Sequence, residues 1–94
     1  GSTKMKHKVL KIYHNANATI DPYTVIYTDC REGERFYSAY ALGPYPFHPQ
    51  GFGQHCTAML GRHLGLRIKF SDLPPDCQKA VRLDRPDLFP EEAQ

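Results

Sequence analysis

Residues 23–28, YTVIYT, carry the signal that decides the fold of this 94-residue chain. Every residue in the run is β-branched or aromatic, and such side chains favour the pleated surface of a strand. Tyr23, Val25 and Tyr27 alternate with the other three residues, so each set faces one side of a sheet. The stretch therefore predicts a β-strand.

The segments on either side of this strand predict an antiparallel meander. Residues 29–34 are charged and contain Gly33, which suits a hairpin loop, and the alternating pattern returns in residues 35–42, RFYSAYAL. Upstream, residues 9–13 read VLKIY and alternate in the same way. We predict three antiparallel strands between about residue 8 and residue 42.

The second half of the chain predicts a loop, a helix, a short edge strand and a second helix. Residues 43–53 hold three prolines and three glycines among aromatic residues, which excludes a central strand or a helix interior. From residue 52 to residue 64 the apolar residues follow helical spacing, residues 66–70 alternate, and residues 71–76 resemble the start of a helix ending near Leu83.

The predicted fold is therefore α+β: an antiparallel sheet of three to four strands in the order β-β-β-loop-α-β-α, with two short helices on one face. The length allows a single core. We assign residues 1–5 to a cloning scar and start, residues 6–85 to the domain and residues 86–94 to a polar tail.

Charge and cysteine content narrow the class of protein. Residues 1–70 carry nine Lys/Arg against four Asp/Glu, whereas residues 71–94 carry three against six, so the body is mildly basic. The three cysteines are odd in number and widely spaced, which predicts reduced thiols in a cytoplasmic protein. No apolar run is long enough for a membrane span, so we expect no membrane partner.

Three stretches, YTVIYTD, HPQGFGQH and HLGLRIKFSDLPPDCQKAV, together resemble a family of small uncharacterised proteins of phages, prophages and plasmids. Its members share a YTV strand, an NP-x-x-P-x-G-F-x-Q loop, an HLGK-type helix end and a DLP-x-x-x-Q helix start. The similarity covers residues 23–83, with Gly43-Pro44 in place of Asn-Pro and Leu66 in place of Lys. It implies an intracellular, mobile-element setting and no particular activity.

Binding of an unidentified protein partner is the predicted function, because large side chains on a proline-rich loop suit an interface hot spot. The alternative is that these aromatic residues fold back and cap the sheet. The edge strand at residues 66–70 could also pair with a second copy and give a homodimer. The predicted contact residues are Tyr45, Phe47, His48 and Phe52, with Arg62 and Arg67 as flanking charges.

Nucleic-acid binding through a basic face, with bases stacked on loop aromatics, is the alternative function. The candidate residues are Lys4, Lys6, Lys8, Lys11, Arg62, Arg67 and Lys69.

Enzyme chemistry is a more distant hypothesis, and we predict no catalytic set, no metal and no cofactor. His48, His55, Cys56 and His63 include zinc-compatible ligand types, but their spacing matches no zinc knuckle. Cys56 and Cys77 each lie near a predicted helix start, where a thiol pKa can fall, yet both lie on predicted buried stripes.

Overall fold

The computed structural model describes residues 9–18 and 20–89, which form one five-stranded antiparallel sheet and one α-helix. Three 3-10 turns complete the fold, at Arg62–Leu64, Phe70–Asp72 and Pro86–Leu88. The main elements are β1 (Leu10–His14), β2 (Tyr23–Glu32), β3 (Phe36–Leu42), β4 (Gly53–Ala58), β5 (Leu66–Ile68) and α1 (Pro75–Asp84). The sheet order is β4-β3-β2-β1-β5, and every neighbouring pair is antiparallel.

The predicted meander is confirmed as β1, β2 and β3. Val25 pairs with Ile12 on one side and with Tyr40 on the other, and the β2–β3 register shifts between Tyr27 and Arg31. Val25 and Ile26 point to opposite faces of the sheet, and both are fully buried. Both faces of the central strand are therefore covered.

The helix predicted over residues 52–64 is wrong. Residues 53–58 form β4, paired with β3 from Leu42↔Gly53 to Tyr37↔Ala58, and only a 3-10 turn follows at Arg62–Leu64. Members of the supposed apolar stripe, Cys56, Met59 and Leu60, are exposed. The backbone gains a full ladder with β3 instead, so residues 9–18 and 20–89 contain five strands and one α-helix.

The second predicted helix is confirmed as α1, which starts after Pro74 with Pro75 in its first turn. Cys77, Ala80 and Val81 face the sheet and are buried. We call the core between α1 and the sheet the helix-side core. It also contains two residues that we assigned to the predicted polar tail. Leu88 and Phe89 are both buried in it, so the tail assignment from residue 86 starts too early.

A second, smaller core lies on the face opposite α1. Tyr13, Ile26 and Ala39 are buried there, and Leu64 packs against them. Since β4 and β5 are opposite edges of the sheet, residues 59–65 must cross between them, and the Leu64 contact shows that this crossover covers the second face.

The edge strand predicted at residues 66–70 is shorter than expected. Ile68 and Phe70 pack against the helix-side core, but Leu66 is 77% exposed, contrary to the prediction that it faces inward. Leu66 pairs with His14, the last residue of β1, and therefore lies at the end of the sheet.

Three connecting segments meet at one end of the sheet, which we call the loop end. There β1 and β3 finish and β2, β4 and β5 begin. Residues 15–18, 20–22, 43–52 and 61–65 consequently lie at this end, and the β2–β3 hairpin lies at the other. Within residues 9–18 and 20–89, no helix has the length and apolar character that crossing a membrane requires.

Candidate functional site

The segment between β3 and β4, residues 43–52, forms an ordered aromatic loop. Its base is closed by the Gly43 N–H, which donates to the Phe52 carbonyl at 2.8 Å. Two turns shape its tip: the His48 N–H donates to Tyr45 O at 3.1 Å, and the Gly51 N–H donates to His48 O at 2.7 Å. The loop backbone is therefore fixed largely by its own hydrogen bonds.

Gly51 allows the loop to close tightly on itself. A Cβ atom at this position would lie 2.0 Å from Tyr45 O and 3.0 Å from His48 O, so no larger residue fits without moving the backbone. The Gln50 N–H also donates to Nδ1 of His48 at 3.1 Å. His48, a predicted contact residue, thus accepts a hydrogen bond within the loop and helps to hold the loop backbone in place.

A buried thiol attaches the aromatic loop to the helix. Sγ of Cys77, in the first turn of α1, donates to the Gly43 carbonyl at 3.1 Å. Burial raises the pKa of the Cys77 thiol to about 11, and the nearby Asp76 charge acts in the same direction. Cys77 therefore stays a neutral donor at physiological pH, which argues against a nucleophilic role.

Thiol labelling should separate Cys77 from the other two cysteines. Cys30 and Cys56 are exposed, whereas Cys77 is buried with a raised pKa. At pH 8 and a pKa of about 11, only roughly one Cys77 thiol in a thousand is ionised. Ellman's reagent should react with two thiols per chain in the native protein, and with the third only after denaturant is added.

The Cys77→Ala variant is the matched control for this labelling. It should keep the two thiols that react in the native protein and lose the third. Three equal rates in the native protein would contradict the placement of Cys77.

The exposure of the loop side chains decides between the two interpretations of the aromatic residues. Tyr45 is 67% exposed and Phe47 is 52% exposed, so these two do not fold back onto the sheet. Phe52 is half-buried at the base of the loop. An open cleft of about 360 Å³ lies here, lined by Ile20, Gly43, Pro44, Tyr45, His48, Gln50, Gly51 and Phe52.

Two further side chains extend this surface. Ile20, from the β1–β2 connection, is 62% exposed beside the loop, and the Lys79 ammonium lies 5.5 Å from the centre of the Phe47 ring. The surface therefore combines apolar groups with a positive charge at Phe47, and Asp76 lies beside Tyr45 on the helix side. Neither Ile20 nor Lys79 belonged to the predicted contact set, because both are distant from the loop in sequence.

The structure places the two flanking arginines on a different surface. Arg62 and Arg67 line a second cleft together with Tyr13, and this cleft shares no lining residue with the loop cleft. Of the other predicted basic residues, Lys11 lies on β1 and Lys69 just after β5. Lys4, Lys6 and Lys8 lie outside the described residues.

A cluster that the sequence did not predict joins α1 to the sheet. Asp84, the last helix residue, accepts a hydrogen bond from the Tyr27 hydroxyl at 2.8 Å and contacts Nε2 of His55 at 2.7 Å. The His55 ring stacks on Tyr40 with 4.5 Å between ring centres. Burial, and then the hydrogen bond to Asp84, raise the pKa of Tyr27, so its hydroxyl remains a donor.

The contact between His55 and Asp84 ties the edge strand β4 to the C-terminal end of α1.

Arg85 makes a second unpredicted connection between the helix end and the sheet. Its guanidinium contacts Asp29 at 2.6 Å and Asp87 at 2.9 Å, and lies 5.0 Å from the centre of the Tyr27 ring. The hydrogen bond from Arg85 lowers the pKa of the Asp29 carboxyl. Arg85 and Asp29 are 56 residues apart, so no local sequence pattern predicts their ion pair.

The candidate zinc and thiol residues are not assembled into one site. His55 and Cys56 are neighbours on β4, so their side chains project from opposite faces of the sheet, and His48 lies in the loop. Cys56 is exposed on a strand rather than buried on a helix. Partial desolvation by its neighbours, and then the Asp21 charge, raise the pKa of its thiol. Within the described ranges, no three His, Cys, Asp or Glu side chains group as metal ligands.

No family model, curated protein or solved structure matches this chain. The resemblance to small phage and plasmid proteins therefore stays a prediction.

Proposed function

We propose that this chain is a small accessory protein that binds a protein partner through its aromatic loop. The observation that carries the proposal is the exposure of Tyr45 and Phe47 on a loop whose backbone is held in place. Aromatic side chains on a rigid loop supply a large contact area and lose little conformational entropy on binding. Such residues dominate the binding energy of protein interfaces.

The shape and charge of the surface describe the partner. The cleft beside Ile20 and Tyr45 is open and can accept one apolar side chain. The Lys79 ammonium beside Phe47 adds a positive charge to another part of the loop surface. We expect the partner to present an apolar side chain with an acidic residue close to it.

The test is a pull-down of the tagged protein from lysate of the source organism, read by mass spectrometry. Phe47→Ala should lose the partner, since truncating an interface hot spot costs about 2 kcal/mol or more, which is roughly a 30-fold loss of affinity. Circular dichroism should show that the variant is folded. A collapsed fold would show instead that Phe47 belongs to the core.

Phe36→Ala is the matched control. Phe36 is 45% exposed, but it lies at the hairpin end of the sheet, away from the aromatic loop. This variant should recover the partner as well as the wild type does. Equal losses from both variants, or no loss from Phe47→Ala, would contradict a role for the loop.

The same experiment separates the alternative function. Treating half of the lysate with nuclease leaves a direct protein partner in place. Recovery that disappears after the treatment would favour nucleic-acid binding through the basic residues over the aromatic loop.

A further inference from the structure

Arg62 and Arg67 lie in an open cleft at the loop end, on a surface separate from the aromatic loop. The cleft lies between the end of β1 and the end of the crossover, and its volume is about 590 Å³. That volume falls within the roughly 300–1,000 Å³ of small-molecule sites. The lining residues of this arginine cleft are Tyr13, His14, Asn15, Ala16, Asn17, Gly61, Arg62, Gly65, Leu66 and Arg67.

The charge of the arginine cleft is one-sided. Among the described residues, its lining includes two guanidinium groups and no carboxylate. In the part of the chain that the structure describes, neither Arg62 nor Arg67 pairs with an acidic side chain, whereas Arg85 is held by two carboxylates. The guanidinium N–H donors in the cleft are thus available to an anion.

One arginine is held in place without using its donors. The Arg67 guanidinium lies 5.5 Å from the centre of the Tyr13 ring, which is buried on the second face of the sheet. Contact with an aromatic face stabilises a guanidinium and leaves its N–H groups free at the edge of the plane. Those groups match the geometry of phosphate oxygens.

The other arginine is positioned by a close backbone approach. The Gly65 N–H donates to Arg62 O at 3.0 Å, and a Cβ at Gly65 would lie only 2.2 Å from His14 O. The close approach of Gly65 to His14 places the turn that contains Arg62 against the end of β1. Asn15 also lines the cleft. Its Oδ1 accepts the Asn17 N–H at 3.0 Å, and its amide nitrogen is a further hydrogen-bond donor.

From these contacts we infer that the arginine cleft binds a phosphate group, carried by a nucleotide or by a nucleic-acid backbone. The recognising groups are the guanidinium forks of Arg62 and Arg67. This site does not depend on the aromatic loop, so either proposal can fail alone.

The experiment compares adenosine monophosphate with adenosine by calorimetric titration of the full chain. The nucleotide should bind at least about tenfold more tightly than the nucleoside, since only the phosphate can accept charge-assisted hydrogen bonds. Arg67→Ala and Arg62→Ala should each weaken nucleotide binding by about tenfold or more, and Arg67→Lys should restore only part of the loss. Equal affinity for the two ligands, or no binding of the nucleotide, would overturn the inference.

Two further variants separate a phosphate site from general attraction. Arg35→Ala removes the same charge from an exposed position at the hairpin end, and it should leave the affinity nearly unchanged. Leu66→Glu keeps both arginines but adds a carboxylate to the lining at a highly exposed position, so it should repel the nucleotide even if an arginine variant misfolds. A loss from Arg35→Ala as large as that from Arg67→Ala would contradict the site.

A short single-stranded oligonucleotide identifies the source of the phosphate. Tighter binding of the oligonucleotide, with displacement of the nucleotide, would assign the cleft to a nucleic-acid backbone. Binding of the nucleotide alone would assign it to a free phosphorylated ligand. Both outcomes require the arginine dependence described above.

Discussion

Replacing Leu42 with alanine is expected to lower the free energy of unfolding by about 2–5 kcal/mol. Leu42 is fully buried at the end of β3 and belongs to the helix-side core with Val25, Cys77 and Val81. The loss combines removal of apolar contacts with the cavity left behind, because a packed core relaxes only partly. Small domains have only about 5–15 kcal/mol of stability in total, so the variant should be close to unfolding. Urea denaturation followed by circular dichroism measures the change.

Leu66→Ala is the matched control, since it removes the same atoms from a side chain that is largely exposed. Its free energy of unfolding should stay within about 0.5 kcal/mol of the wild type. The slope of the denaturation curve should be unchanged in both variants if they unfold in two states. Equal destabilisation by the two substitutions would contradict the burial pattern described here.

The meander could be predicted because its signal is local. Alternating residues in a strand must face opposite sides, and Val25 and Tyr27 carry that pattern within one short stretch. The helix at Pro75–Asp84 has an equally local signal in its prolines and its buried stripe. In both elements the tertiary contacts reinforce what the sequence already prefers.

The fourth strand could not be predicted because its stability comes from a distant partner. Residues 53–58 gain their hydrogen bonds from β3, after a loop whose closure brings Phe52 back to Gly43. The helical spacing of Cys56, Met59 and Leu60 is a coincidence, since all three side chains are exposed. Apolar spacing over a short window does not distinguish a helix from a strand when the burying surface is unknown.

The candidate surfaces also contain some features that a local sequence pattern predicts and others that depend on residues distant in the chain. The exposed Tyr45 and Phe47 lie in a loop that the prolines and glycines of residues 43–53 predict. The sequence also singled out Arg62 and Arg67, but it placed them beside that loop as flanking charges. In the structure β4 and the following crossover carry them away from the loop, so they line a separate cleft. The contact between His55 and Asp84 spans 29 residues and has no local signal at all.

Gly65→Ala is expected to be nearly as damaging as the loss of Leu42, at roughly 2–5 kcal/mol, for a reason that concerns the backbone. Gly65 has a φ of 108°, a conformation that side chains rarely adopt, and an added Cβ would lie 2.2 Å from the carbonyl oxygen of His14. A backbone atom cannot rotate away as a side chain can, so the turn holding Arg62 must lift from the end of β1. Urea denaturation should show the lost stability, and calorimetry should show weaker binding of adenosine monophosphate.

Gly33→Ala separates the two contributions to this effect. Gly33 also has a positive φ, of 86°, but a Cβ there would have no atom within 4 Å. It should therefore show only the conformational strain of about 1–2 kcal/mol, with nucleotide binding intact because the hairpin lies at the other end of the sheet. If the two variants were equally destabilised, the close approach of Gly65 to β1 would contribute nothing. If Gly65→Ala kept full nucleotide affinity in a folded protein, the position of the Arg62 turn would not govern binding, and recognition would depend on Arg67 and the wall of β1.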